Sequence, residues 1–434
     1  IFRQFIFLNC VEYIIKCQMN ISVLLILPTQ LFNLTNSFIN KYDKTVIIKE
    51  NYYINNNIHL AKLEMHNRSC DEYYNNLKHK NKFILDTYKS NKNENCYMFH
   101  PTDKYMVDKY NFCEYLDSPG FIIKIGDMDR YYTNRQNIFY QKIRTDLDVL
   151  MHNNRPFGNK WSYDNENRHK YPENYIEDKK QIESSFPPIS RNEALTLLKN
   201  FVKFKLSSFG FFQDSIKKEV LIGFHSYLSA PLNIGLITPD DIIKEVMKYD
   251  IPLNSLEGFI RQLIGWREFI RMHYIVNGDQ DFKYLNNMNK KLPISWYTGD
   301  KTGLDVLDWS ISRVLQYGYV PHIERLMLLN NIALLLQIEY FEIKRWLTNM
   351  FIDGYDWAML NVSMNTNYLN PNKNLKFMSK VYLTNGTYLK KMGLEISKRD
   401  MEQIQILYKK FIVQNKDLLK KDYRMSAYIK NNLK

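Results

Sequence analysis

Ser226 and Ser229 stand ahead of a segment, 239–249, whose apolar spacing predicts a helix. Small hydroxyl side chains and open backbone N–H groups before a helix suit a phosphate group. They suit ordinary helix capping as well, and residue type alone leaves both alternatives open. Arg261, Trp266 and Arg267 fall inside a second expected helix, 254–276. An amphipathic helix with a buried Trp accounts for them, and two arginines on one helix could equally reach nucleic-acid phosphates. His322 and Arg325 are three residues apart and share a helix face, and Pro321 suits the first helical turn. An Arg325 pair with Asp353 or Asp356 would, on residue type alone, be a structural salt bridge. Five of the six tryptophans, Trp266, Trp296, Trp309, Trp346 and Trp357, lie in this later part of the chain. Buried tryptophans are most often core.

The elements that must position these residues fall into two textures. Residues 21–27 (ISVLLIL) form a continuous apolar run, a second run covers 45–48, and 58–79 carries helix-period apolar positions. Strands and helices are expected to alternate through 122–125, the βαβ rhythm of a doubly wound, Rossmann-like α/β domain over 19–151. From 152 to 190 the chain is polar, with Pro156, Pro172, Pro187 and Pro188, and reads as an interdomain linker. An all-α domain is expected over 191–434, with helices at 192–206, 239–249, 254–276, 304–317, 321–337 and 340–351. The Lys-rich end remains periodic and predicts a terminal helix.

The 434 residues carry a formal net charge of +13 and 15% aromatics. A basic surface favours polyanions, nucleic acid first, although an AT-rich coding sequence also enriches Lys, Asn, Ile and Tyr. All five cysteines precede residue 114 without metal-ligand spacing. That pattern argues against a disulfide framework or a zinc site, and points to a reducing compartment, cytoplasm or nucleus. No apolar run reaches the roughly 18–20 residues that span a bilayer, so no membrane partner is expected. Residues 1–18 are expected to be an upstream extension of doubtful status, with Met19 as the natural start.

Four segments together carry a resemblance. They are GNKWSYDNENR at 158–168, preceded by Phe139 and Tyr140; FHSYLSAPLNIGL at 224–236; EGFIRQLIGWREF at 257–269; and YGYVPHIERLM at 317–327 with FIDGYDW at 351–357. They resemble the bacterial-type, photolyase-related branch of the photolyase/cryptochrome superfamily, which includes iron–sulfur photolyases. The likeness is strongest over 137–172 and 221–357. It implies an FAD-binding helical domain. His225, Ser226, Leu228 and Ser229 would hold the diphosphate, Arg261 and Trp266 would line the pocket, and Arg325 with Asp353 or Asp356 would stand beside the flavin ring. It also implies His322 as a proton-transfer group in a lesion pocket, and electron supply through Trp346 and the position held here by Tyr297. A lumazine-like antenna pigment in the first domain is a further implication.

This chain departs from the family in three ways. No cysteine follows Cys113, so no thiolate-bound iron–sulfur cluster is expected. One of the family's paired histidines is Pro321, which argues against (6-4) repair. The segment beginning NVSMNTNYL at 361 lacks the family's glycines, and KVY at 380–382 recovers the frame. The resulting expectation is a monomeric, light-dependent, FAD-using photolyase acting on UV-damaged DNA. The alternatives are a cryptochrome-like photoreceptor without repair, and a degenerate paralogue that binds no flavin.

Overall fold

The computed structural model describes residues 20–53, 57–177, 187–278, 288–360 and 383–432. The expected leader, the altered segment at 361–379 and the KVY at 380–382 lie outside the described residues. Five strands, β1 (Ile21–Ile26), β2 (Lys44–Ile48), β3 (Lys82–Leu85), β4 (Glu94–Phe99) and β5 (Glu114–Leu116), form one parallel sheet in the order β3-β2-β1-β4-β5. β1 is central because it is apolar on both faces, with Val23, Leu24, Leu25 and Ile26 fully buried. Helix α1 (Leu60–Asn76) makes the crossover from β2 to β3. The strand order reverses between β1 and β4, so a crevice opens beyond their carboxyl ends.

One expectation fails here. Residues 122–125 are not a strand. The N–H groups of Ile122 and Ile123 donate to the buried Glu268 carboxylate at 3.1 Å each, and Arg271 donates to the Ile123 carbonyl at 2.6 Å. Side chains of the helical region have taken the backbone groups a sheet would need, so the apolar run becomes a junction instead.

The linker begins with a two-residue hairpin turn. Asn153 and Asn154, with φ of 48° and 60°, join Met151–His152 to Arg155–Pro156. Arg144, fully buried, then donates to the carbonyls of Val149 and Leu150 and lies 5.5 Å over the Trp161 ring.

Past residue 190 the described chain is helical. Helix α2 (Arg191–Phe204) starts at a reciprocal cap in which Ser190 accepts from the Glu193 N–H. Short helices α3 (Leu206–Phe212) and α4 (Ser229–Asn233) were not legible from spacing, because each offers two turns or fewer of pattern. Helix α5 covers Pro239–Val246. Leu253–Ile260, Arg261–Arg267 and Glu268–Asn277 run as one helix, α6, whose middle section widens to π turns. Helix α7 is Asp305–Tyr317. His322–Glu324, Arg325–Leu329 and Asn330–Leu335 repeat the α–π–α arrangement as α8. Helices α9 (Tyr340–Met350) and α10 (Lys398–Gln414) come next along the chain. One apolar core runs from β1 into α2, α3 and α6; a second surrounds Trp296, Trp346 and α10.

α3 and α6 meet with almost no space between their backbones. A Cβ on Gly210 would lie 2.6 Å from the Asn254 carbonyl, and the Gly210 N–H donates to Ser255 Oγ at 2.9 Å. Gly210→Ala must push the two helices apart, and should lower the unfolding free energy by about 1–3 kcal/mol in a urea titration. An unchanged midpoint would show that this contact is looser than described.

Candidate functional site

A cavity of about 450 Å³ opens between α4, α6, α8, the loop at 351–359 and the linker residues Asp164, Asn167 and Arg168. Its centre is an ion pair. Arg325, at the first position of the π section of α8, donates to both carboxylate oxygens of Asp353 at 2.8 and 3.1 Å. Its Nε donates to the Val320 carbonyl at 2.7 Å, and the guanidinium lies 4.2 Å over the Phe351 ring. Arg325 and Asp353 are 5% and 6% exposed, so the pair sits in a poorly hydrated wall where removing one partner is costly. Ser229 donates its hydroxyl proton to Asp353 at 2.6 Å, and Asn233 donates to the Asp353 carbonyl at 3.1 Å. Asp353 therefore ties α4 to α8.

Ser226 and Ser229 flank a turn in which Tyr227 has φ of 57° and Ser226 Oγ accepts from the Leu228 N–H at 3.3 Å. The hydroxyl proton of Ser229 is committed to Asp353. Leu228 supplies apolar wall. His225 sits with its two ring nitrogens 2.9 Å from the carbonyls of Ile222 and Gln213, and burial lowers its pKa. Arg261, opening the π section of α6, pairs with Glu257 at 3.0 Å and with Asp164 of the linker at 2.5 Å. Trp266 is half-buried on the same wall. Arg267 donates to the Gly120 carbonyl at 2.7 Å and lies 5.2 Å over Trp357, with burial pulling its pKa down to about 10.

His322 borders the cavity, and its side chain is exposed to it. Desolvation, the neighbouring Arg325 cation and His225 push its pKa down to about 4. The imidazole is thus neutral at pH 7 and can accept or donate one hydrogen bond.

Two expected residues stand elsewhere. Asp356 does not meet Arg325; it pairs with Lys344 at 2.8 Å, accepts from the Tyr274 hydroxyl at 2.7 Å, and lines a separate cavity. Asp353 and Asp356 therefore face different cavities. The ring packed on Trp346 is Trp296, at 5.0 Å edge-to-face, while Tyr297 lies beside it, half-buried. Trp346 Nε1 donates to the Trp296 carbonyl at 3.0 Å, and Trp346 meets Phe351 at 5.8 Å. A row of aromatic rings, Trp296, Trp346 and Phe351, therefore ends under the Arg325 guanidinium.

Other residues of the site are assigned no role by the motifs. Buried Asn167 Oδ1 and Arg267 Nε, both of cavity-lining residues, have no hydrogen-bond partner among the described residues. From the α/β domain, Lys62 donates to the Gly354 and Thr348 carbonyls and His66 meets the Tyr355 hydroxyl at 2.7 Å. These helix-face residues carry no local pattern that marks a distant loop as their partner.

A sequence profile described as deoxyribodipyrimidine photo-lyase-related protein matches residues 108–200. The chain is 28% identical to the (6-4) photolyase of Agrobacterium fabrum over 354 residues, 70% of this chain and 68% of that one. These sequence matches liken the chain to the photolyase/cryptochrome superfamily. Its fold agrees with that of a bacterial class III photolyase from Agrobacterium tumefaciens, with a TM-score of 0.53, 12% identity, and coverage of 91% of this chain and 98% of that one. A cryptochrome from Synechocystis gives a TM-score of 0.56 at 14% identity, covering 90% and 99%. Both likenesses bear out a parallel-sheet domain followed by a helical one. Among the described residues, no helix is long and apolar enough to cross a membrane.

Two outcomes are expected. Arg325→Ala should lower the unfolding free energy by about 3–5 kcal/mol, because it strands the Asp353 carboxylate, while replacing both residues by apolar ones of similar volume should recover most of the loss. In an NMR titration the His322 ring should protonate near pH 4. A midpoint above about 6, close to the unperturbed imidazole value, would contradict the environment described.

Proposed function

We propose that this chain is a light-dependent DNA photolyase that uses FAD to reverse UV pyrimidine photoproducts. The observation that carries the reading is the make-up of the 450 Å³ cavity. Its lining combines polar groups, Ser226, the turn at Tyr227 and Arg261, with the apolar side chains of Leu263, Ile270 and Met327, and includes a fixed guanidinium–carboxylate pair. An anionic dinucleotide carrying a flat ring presents both kinds of surface. The unpartnered Asn167 Oδ1 and Arg267 Nε fit it too, since buried polar atoms on a cavity wall are expected to meet a ligand.

In this reading Ser226 and the backbone around it hold the diphosphate, with Ser229 acting through Asp353. Arg261 keeps the linker wall in place. Arg325, locked by Asp353, keeps a positive charge that favours an anionic reduced ring. When bound, reduced FAD excited by light supplies one electron to the lesion and takes it back after bond cleavage. Trp346 and Trp296 would relay the electron that restores the reduced cofactor, with Trp296 in the place that the resemblance assigns to Tyr297. Damaged bases would flip out of the duplex towards the cavity, and the +13 charge would favour the phosphate backbone. His322, neutral, would offer a hydrogen bond to the lesion. A second pigment would find room in the separate cavity of about 470 Å³ beyond the sheet, among Tyr52, Tyr53 and Tyr355.

Pro321 favours a second reading, a cryptochrome-like photoreceptor, because it stands beside His322 where the resemblance places the other histidine of the pair that repair of (6-4) lesions would use. Extraction and mass spectrometry of the purified protein should yield FAD. Ser226→Ala with Ser229→Ala should reduce FAD content at least about tenfold, the loss of roughly 1.4 kcal/mol or more of binding. Light-dependent restoration of a UV-damaged oligonucleotide supports repair; flavin without restoration supports the photoreceptor; a colourless protein that takes up no flavin refutes both.

A further inference from the structure

The linker is fastened to the helical region at a point the proposed chemistry does not use. Glu177 faces three consecutive backbone N–H groups. Leu221 donates to it at 2.5 Å, Ile222 at 3.1 Å to both oxygens, and Gly223 at 2.6 Å. Successive amides converging on one group form a concave anion site. The shape depends on Gly223, whose φ of +56° is left-handed and whose added Cβ would collide with the Tyr171 hydroxyl.

A complementary contact lies alongside. Lys217 Nζ donates to three linker carbonyls, those of Pro172 at 3.0 Å, Glu173 at 2.9 Å and Tyr175 at 3.2 Å. Between the two poles the rings of Tyr171 and Tyr175 pack on Phe224 at 5.7 and 5.0 Å. A cation on carbonyls, a carboxylate on amides and an aromatic cluster thus clasp 171–177 onto 217–224.

Both clasped segments lead directly into the cavity. Asp164, Asn167 and Arg168, upstream on the linker, form one wall, and 225–229, immediately downstream of the amide triplet, forms another. We propose that Leu221, Ile222 and Gly223 form a receptor for a small oxyanion, that Glu177 is its resident ligand, and that Glu177 is a positioning residue which holds these two walls together around a bound dinucleotide. The last clause rests on the flavin reading; the receptor does not.

The test uses the full chain with Glu177→Ala and Glu177→Gln. Amide hydrogen exchange at Leu221, Ile222 and Gly223 should quicken about tenfold or more in Glu177→Ala. Sodium acetate should return it towards the wild-type rate, and sodium chloride at matched ionic strength should not. Glu177→Gln, nearly isosteric and keeping one acceptor oxygen, should exchange at an intermediate rate and ignore acetate, because the receptor stays filled. Flavin release from Glu177→Ala, monitored by fluorescence, should also quicken about tenfold and slow again in acetate. Unchanged exchange in Glu177→Ala, or exchange that acetate leaves fast, overturns the receptor. Unchanged flavin release with restored exchange overturns the positioning role alone. A wild-type chain that holds no flavin removes the dinucleotide reading, and the exchange rates still decide the receptor.

Discussion

The buried pair of Arg325 and Asp353 is the constraint on which the rest of the site depends. A guanidinium and a carboxylate removed from water are tolerated only when both are fully bonded. Asp353 meets that demand with Arg325 and Ser229, which fixes α4 against α8. Arg325 meets it with Asp353 and the Val320 carbonyl, which fixes its direction into the cavity wall. The loop that follows α9 and carries Asp353 must then take a narrow path. A Cβ on Gly354 would lie 2.5 Å from the Leu347 carbonyl, so only glycine fits there. Lys62 of the α/β domain closes on that loop from beneath, burial holding its pKa down to about 8. One ion pair thereby sets the spacing of three helical elements and the seat of the first domain.

The two π sections serve the same end. Arg261 and Arg325 each stand at the first position of one. Widening a helix by one residue per turn rotates the turns beyond it, so cavity-facing and core-facing residues need not keep ordinary helical spacing. Trp266 and Arg267 share a wall in α6 although they are adjacent in sequence. The helix continues past both sections, and Phe269 and Leu334 return to the core fully buried.

Sequence spacing revealed the long elements because their burial is periodic. β1, α6, α8 and α9 appear within a few residues of expectation. Three kinds of feature escaped it. The short helices α3 and α4 offer too few turns for a period to register. The junction at 122–125 is apolar and strand-like, and only the distant Glu268 carboxylate decides that it is not a strand. The π sections leave the apolar pattern looking like plain helix. At the site, motif resemblance brought together Ser226, Ser229, Arg261, Trp266, His322, Arg325 and Asp353 on one cavity. It could not separate Asp353 from Asp356, because the direction of Asp356 is set by Tyr274, far away in sequence, and by Lys344 on the preceding helix. Nor could it choose between Trp296 and Tyr297, since that choice depends on how a short helix rolls against Trp346.

The central claim is that the walls joined by Arg325 and Asp353 enclose a flavin dinucleotide. A crystal structure of the chain grown with FAD tests it most directly. The account predicts density for the ring beside the Arg325–Asp353 pair, with the diphosphate against the backbone at 226–229. A cavity that stays filled with water alone at saturating FAD, or FAD bound elsewhere on the chain, would contradict it.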